Sequence, residues 1–226
     1  MDFDFRIFFS ALTSPAIVTG AGVTLLLTLL SHAIAIGISL PMAVALLGRN
    51  KTLKTGAKAY IVLFRAIPVI LLLLLIWNGL PQVFPIFRDE WFTPFFAALV
   101  GLSLIEAAYQ VEINRTALAA IPKGQIDAGN ALGFRPLQVF FLIKLPQAMR
   151  IALPPTVNEF ITLLKSTSIA TVISLRELMT ITQQSVAYSF RYSEYYLAAL
   201  CYYVAMVLIL MALQSVAERR MAWVVH

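Results

Sequence analysis

The length of its uncharged stretches constrains this chain more than any other feature. From Ile7 to Gly48 there is no Asp, Glu, Lys or Arg. A helix needs about 20 apolar residues to cross roughly 30 Å of hydrocarbon. The stretch therefore holds the end of a short segment at 1–15, read as extracytoplasmic and interfacial, and a long first span at 16–47 that Pro41 is placed to kink near its end. Four further spans follow by the same reasoning. One, at 66–87, closes on an Asn78-Gly79-Leu80-Pro81 turn. The next, at 93–113, is less apolar and carries Glu106 and Glu112 toward one end. The fourth, at 145–166, contains Glu159 and Lys165, and the fifth, at 195–217, is uncharged. The expected fold is an all-α polytopic membrane protein with five transmembrane helices.

Composition agrees. Apolar residues make up 60% and charged residues 12% of 226, against roughly 45–50% and about 25% in soluble domains. So much apolar surface cannot be hidden inside one globule of this size. That excludes a soluble enzyme, a disordered chain and a free nucleic-acid binder, and makes the lipid bilayer the solvent. The acidic leader Met1-Asp2-Phe3-Asp4-Phe5-Arg6 and the long apolar run behind it do not fit a cleavable signal.

Orientation follows from Lys and Arg, which concentrate on the cytoplasmic side. Arg49, Lys51, Lys54, Lys58 and Arg65 follow the first span, and Arg115, Lys123, Arg135, Lys144 and Arg150 lie between the third and fourth. Arg219 and Arg220 precede a short tail at 221–226. The other side holds Arg6, Arg88, Arg176 and Arg191. The excess puts the N-terminus outside and the C-terminus in the cytoplasm. The net charge of +6 thus reports topology, and no nucleic-acid partner is invoked.

The chain offers little for metal or covalent chemistry. Cys201, beside Leu200, Tyr202 and Tyr203, reads as a small buried apolar filler. His32 and His226 make no metal site, and His32, inside an apolar run, reads as a hydrogen-bonded structural histidine. Glu112 and Arg115 are spaced for a helix-surface pair. Tyr188, Tyr192, Tyr195 and Tyr196 read as interfacial anchors near the start of span five.

The loop between spans three and four is punctuated as a short helix. Pro122 suits the first helical position, Gly133 the left-handed position after a helix, and Pro136 blocks resumption. A short helix at 122–133 results, either lying on lipid or, through small Ala128, Gly129, Ala131 and Gly133, admitting close approach by another backbone.

Here the residues resemble a family. Asp127-Ala128-Gly129, Gly133 and Ile143-Lys144-Leu145-Pro146 keep the spacing of the permease signature of ABC importers, E-A-A-x3-G-x9-I-x-L-P, with Asp for Glu and Gly for the second Ala. Glu106-Ala107-Ala108 lacks the following glycine and is read as a decoy. Segments Ala108–Arg115, Ile121–Gln125, Leu145–Pro154, Asn158–Phe160, Leu164–Ser168 and Phe64–Pro68 look like the polar-amino-acid (histidine/glutamine/arginine-type) branch, and the match covers roughly 16–220. The resemblance implies an ABC importer type I permease fold in a bacterial inner membrane, with the 122–133 segment as a cytoplasmic coupling helix. It also implies a second permease subunit (same or related chain), two ATPase subunits and an extracytoplasmic solute-binding protein. Pro122, Lys123, Gly124, Asp127, Ala128, Gly129, Ala131, Leu132 and Gly133 would then meet the ATPase, and Gly129→Trp or Gly133→Trp would uncouple transport while leaving the fold inserted. The chain has no G-x-x-x-x-G-K-[ST] loop. It is therefore expected to be no enzyme and to hold no cofactor itself, with ATP and Mg bound by the partner ATPase subunits.

Charges inside the fourth span need a reason, since each costs about 2.5–3.5 kcal/mol at a helix centre by insertion scales. Asn158, Thr162 and Lys165 fall on one helical face, and Glu159, Thr162 and Ser166 on an overlapping one. The two sets form a polar stripe, preceded by Pro154 and Pro155, that should face a central path. Glu159 would hold a substrate ammonium, and Lys165 or hydroxyls its carboxylate; Glu106 could line the same path. A structural network between subunits, or a Lys165 that snorkels to an interface, would explain the same stripe. Two other classes remain open at this point. An ion-gradient-driven secondary amino-acid transporter would explain Glu159 but usually carries internal repeats. A membrane-embedded enzyme would need a reactive constellation that is not visible.

Overall fold

The computed structural model describes residues 3–222, with side chains to 219. Met1, Asp2, the Arg220 side chain and the last four residues of the expected tail lie outside the described residues. The chain is helical throughout. It begins with α1 (Phe5–Leu12), capped by Asp4, whose carboxylate accepts from the Arg6 and Ile7 amides. Helix α2 (Pro15–Leu47) starts on a proline whose missing N–H costs nothing there. It runs through Pro41 and ends at Leu47, with Gly48 as its C-cap.

Helix α3 (Lys51–Ala66) is capped by Asn50. It ends before Pro68, because a residue preceding proline disfavours helical geometry. The chain turns there by 99° into α4 (Val69–Leu74), a π-helical run Leu75–Gly79 and α5 (Leu80–Val83). The expected Asn78–Pro81 turn is therefore helical. A second π-helical run, Val139–Lys144, connects α8 (Pro136–Gln138) to α9 (Leu145–Ser166). Each π run lies just ahead of a proline, Pro81 or Pro146. A proline ring collides with the carbonyl four residues back. Those carbonyls belong to Trp77 and Leu142, inside the widened turns that relieve the clash.

The remaining helices are α6 (Pro94–Ala119), α7 (Lys123–Ala131), α10 (Leu178–Ser189) and α11 (Tyr192–Ala222). Among the described residues, three helices are long and apolar enough to cross a membrane: Pro15–Leu47, Pro94–Ala119 and Tyr192–Arg219. The bent pair Lys51–Ala66 and Val69–Val83 supplies a fourth if it forms one span. The expected fourth span is α9. Its 22 residues rise about 33 Å, enough to cross, but its polar face lowers its hydropathy below that of the others. Pro154 and Pro155 sit inside α9, one turn ahead of Asn158.

Helices α2, α6 and α9 form the centre. Ala97, Ala98, Gly101, Ala107 and Ala108 are buried along α6, and small residues let neighbouring backbones approach closely. A Cβ at Gly101 would meet Leu73 Cδ2 at 2.8 Å. Around this centre α10 packs on α2 and α11, and α11 on α1. One face of α11 is thus engaged, and Cys201, expected to be buried, is exposed on it.

Candidate functional site: a polar face on α9 and a short helix at the end of the bundle

Helix α9 turns an unusual face outward. Asn158, Thr162 and Lys165 are exposed, together with Ile151 and Pro155, while Glu159 and Ser166 are half-buried beside them. Thr162 donates to the Asn158 carbonyl at 3.0 Å and Ser166 to the Thr162 carbonyl at 2.9 Å, so the hydroxyls are satisfied within the helix. The side chains of Asn158, Glu159 and Lys165 have no hydrogen-bond or ion-pair partner among the described residues. Three polar groups left unpaired on the outward face of an apolar bundle are available to a partner or a solute. After Ser166 the helix tightens into a 3-10 run, Thr167–Ile173.

Behind this face lies a buried histidine–carboxylate contact. His32 Nδ1 of α2 is 2.9 Å from Glu106 Oε1 of α6, and Phe160 of α9 meets the imidazole edge-on at 5.0 Å. Glu106 is 4% exposed, so it joins α2 to α6 and does not line an open path. His32 has the structural role its setting implies. Glu159 lies within electrostatic reach of Glu106, His32 and Arg65, and Arg65 stands over the Tyr109 ring at 4.9 Å. Nearer the α7 end, Gln110 donates to Thr156 at 2.7 Å and Asn114 to Ser39 at 2.9 Å. Gln110 and Asn114 line a cavity of about 380 Å³ between α2, α6 and α9.

Helix α7 stands at the end of the bundle where α6 finishes. Pro122 is its N-cap, and Lys123 takes the first helical position instead. Gly133 has φ +80°, the left-handed conformation. The Phe134 amide donates to the Gly129 carbonyl and the Gly133 amide to that of Asn130, at 3.1 and 3.0 Å, the paired bonds of a Schellman cap. Lys123, Gly124, Asp127, Ala128, Ala131 and Leu132 are exposed, as are Pro122 and Gly133. Gly129 is buried. A Cβ there would meet Ile143 Cδ1 at 2.5 Å and Val139 Cγ2 at 3.4 Å. Gly129 thus seats α7 on the π run of its own chain, and a tryptophan there would break this packing rather than leave the fold intact.

A profile of the binding-protein-dependent transport system inner membrane component family matches residues 33–223. The chain belongs to this family. It is 36% identical to the probable amino-acid permease protein YxeN of Bacillus subtilis over 92% of both chains. It is 36% identical to the arginine transport system permease protein ArtQ of the same organism, over 92% of this chain and 93% of ArtQ. HisQ of Salmonella typhimurium, a histidine/lysine/arginine/ornithine transport system permease protein, is 34% identical over 83% and 84%. The fold superimposes on a crystal structure of an amino acid ABC transporter with histidines at a TM-score of 0.85. That match has 32% identity and covers 97% of this chain and all of the other. The MetNI methionine ABC transporter, at TM-score 0.77 and 24% identity over 91% of this chain and 95% of the other, shares the fold.

As an inner membrane component of this family, the chain is a permease subunit of an ABC importer and not its ATPase. These relatives give the ion-gradient-driven alternative no support. Helix α7 carries the Asp127-Ala128-Gly129 segment. Its Asp127 and Ala128 face outward, while Glu106-Ala107-Ala108 is buried in α6. The expected Glu112–Arg115 pair is present at 2.8 Å. One residue escaped the sequence reading. Glu177, fully buried, caps α10 by accepting from the Met179 and Thr180 amides at 2.9 and 2.7 Å. It also accepts from Thr24 of α2 and Tyr203 of α11, each at 3.4 Å. A carboxylate opening an apolar-periodic run is a helix-start signal.

Proposed function

We propose that this permease forms the membrane path for polar amino acids or amino-acid derivatives, cationic ones included. A second permease subunit, the same chain or a related one, would cover the exposed face of α9. The observation that carries this reading is the unpaired set Asn158, Glu159 and Lys165 on that face. A zwitterion presents an ammonium to Glu159 and a carboxylate to Lys165. Charged side chains at membrane depth that lack a partner in their own bundle belong against water, ligand or another subunit. Relatives named for arginine, octopine, nopaline and histidine transport support the substrate class. Glu106 supports the path from behind, through its field on Glu159.

Two ATPase subunits holding ATP and Mg would dock on the exposed side of α7, at Pro122, Lys123, Gly124, Asp127, Ala128, Ala131, Leu132 and Gly133. An extracytoplasmic binding protein would deliver substrate on the opposite side. The distribution of Lys and Arg supports an N-terminus outside and a cytoplasmic C-terminus. Motion would pass from α7 to α9 through Gly129 on Ile143, and through Gln147, which donates to Gln125 at 2.6 Å and to the Ile143 carbonyl at 2.8 Å. The test is uptake of labelled arginine and histidine by proteoliposomes holding the whole complex. Glu159→Gln is expected to lower uptake at least about tenfold, the weight of one charge-assisted hydrogen bond of about 1.5–3 kcal/mol, with assembly intact. Unchanged uptake kinetics in that variant would assign Glu159 to structure.

A further inference from the structure

A second cavity lies at the α7 end of the bundle, apart from the polar face of α9. It measures about 810 Å³ and is bounded by the end of α2, α7 and the π run Val139–Lys144. Its walls are apolar: Leu40, Pro41 and Val44 on one side, Leu137, Phe140 and Phe141 on the other. Leu137 and Phe141 are 72% and 56% exposed. A single cation edges this wall. Lys144 lines the groove and also lines a smaller cavity of about 200 Å³, which shares Val44 and Phe140 with it. Lys144 is half-buried and has no ion-pair or hydrogen-bond partner among the described residues.

Depth narrows the choice of ligand. The smaller cavity also touches Leu47 and Gly48, so Lys144 stands where the 33-residue α2 ends. A helix of that length rises about 50 Å, past the roughly 30 Å hydrocarbon core and into the headgroup layer. Leu40, two turns back along α2, lies toward the hydrocarbon. The groove therefore offers an unpaired ammonium at headgroup depth and an apolar trough running inward from it. We propose that it binds one anionic phospholipid, with the phosphate on Lys144 and an acyl chain along Leu40, Val44, Phe140 and Phe141. Charge complementarity selects this occupant. Apolar contact alone would take any lipid, whereas a basic site between transmembrane helices takes acidic headgroups. Because the groove also touches Ile126 and Asn130 of α7, a bound lipid would brace α7 against α2.

The inference stands apart from the transport reading, since lipid retention is measured without transport. The full chain, purified in mild detergent with equal amounts of dioleoyl phosphatidylglycerol and dioleoyl phosphatidylcholine, is examined by native mass spectrometry. One phosphatidylglycerol is expected to be retained with about fivefold preference, the weight of one basic residue at an anionic surface. Lys144→Gln removes the preference, Lys144→Arg keeps it, and Phe141→Ser lowers retention of both lipids while keeping the ratio. Equal retention by the unaltered chain, or an unchanged ratio in Lys144→Gln, overturns the proposal. So does lipid-free dimerisation that is lost in Phe141→Ser, which would assign the groove to a second copy of the chain.

Discussion

Glu177 tests how the bundle is held together. Its carboxylate is buried where α2, α10 and α11 meet, and it accepts from two amides of α10 and from hydroxyls on all three helices. Glu177→Ala strands the amides of Met179 and Thr180, and a buried unsatisfied donor costs about 1–3 kcal/mol. The hydroxyls of Thr24, Thr180 and Tyr203 can re-aim, so the expected loss is about 3–5 kcal/mol. For a chain of this size that lowers the melting temperature by roughly 6–20 °C. Glu177→Gln keeps one oxygen for Thr180 but turns an N–H toward the Met179 amide, for about 1–3 kcal/mol. Thr24→Val removes the acceptor of the Leu178 amide, 3.2 Å away. Thermal unfolding in mild detergent, followed by circular dichroism, should rank the variants in the order unaltered, Gln, Ala. The Thr24→Val/Glu177→Ala pair should lose less than the sum of its parts, because both act on one network. An Ala variant that melts with the unaltered chain, or a Gln variant that falls as far as Ala, would refute the carboxylate as the tie between these helices.

Other perturbations separate residues that look alike in sequence. At Gly20 a Cβ would lie 3.0 Å from the Leu178 backbone, whereas at Gly22 it meets nothing within 4 Å. Gly20→Ala should destabilise by about 1–3 kcal/mol and Gly22→Ala should stabilise by up to about 1 kcal/mol, read as opposite shifts of melting temperature. His32→Leu leaves the Glu106 carboxylate buried without its partner and should cost about 3–5 kcal/mol. Glu106→Gln, which keeps a hydrogen bond to the imidazole, should cost less, and equal losses would contradict this account of the pair. On α7, Ala128→Trp should keep the melting temperature and lose ATPase co-purification, while Gly129→Trp lowers the melting temperature itself. If both variants keep the ATPase, docking does not occur on this helix.

The sequence carried the long elements well because their signals are physical and local. The α9 boundaries and the positive φ at Gly133 follow from residues within a few positions. Helix α3 was not anticipated, because Lys51, Lys54, Lys58 and Arg65 read as a basic loop. Asn50 at its cap and buried Ala57 and Ile61 show an amphipathic helix instead. Helix α10 hid for a different reason. Its polar Thr180, Thr182 and Gln183 mask an apolar periodicity, and its cap reaches residues 153 positions away in sequence. Small residues were the least legible. Ala128 and Gly129 are adjacent in the signature, yet one faces outward and the other packs inward on Ile143. A motif states that a residue is small without stating which neighbour requires it.

That distinction bears on how force would travel. A helix docked only on lipid could slide under load. Here α7 is held at three places: Gly129 sits on Ile143 and Val139, Gln125 accepts from Gln147, and the Schellman cap fixes the exit toward Pro136. The first hold is on the π run, the second on α9 itself, and the cap leads into α8, which runs through the π run into α9. Pro146 and the widened turn ahead of it are a permanent irregularity rather than a hinge, since the ring clash that causes the widening is present in every state. If force enters at α7, these contacts would carry the short helix and the lower end of α9 as one lever. The unpaired Asn158, Glu159 and Lys165 lie about four to six turns beyond the start of α9. A tilt imposed at α7 would reorient those side chains without any change inside the lever, which is the least that the proposed path would require of this subunit.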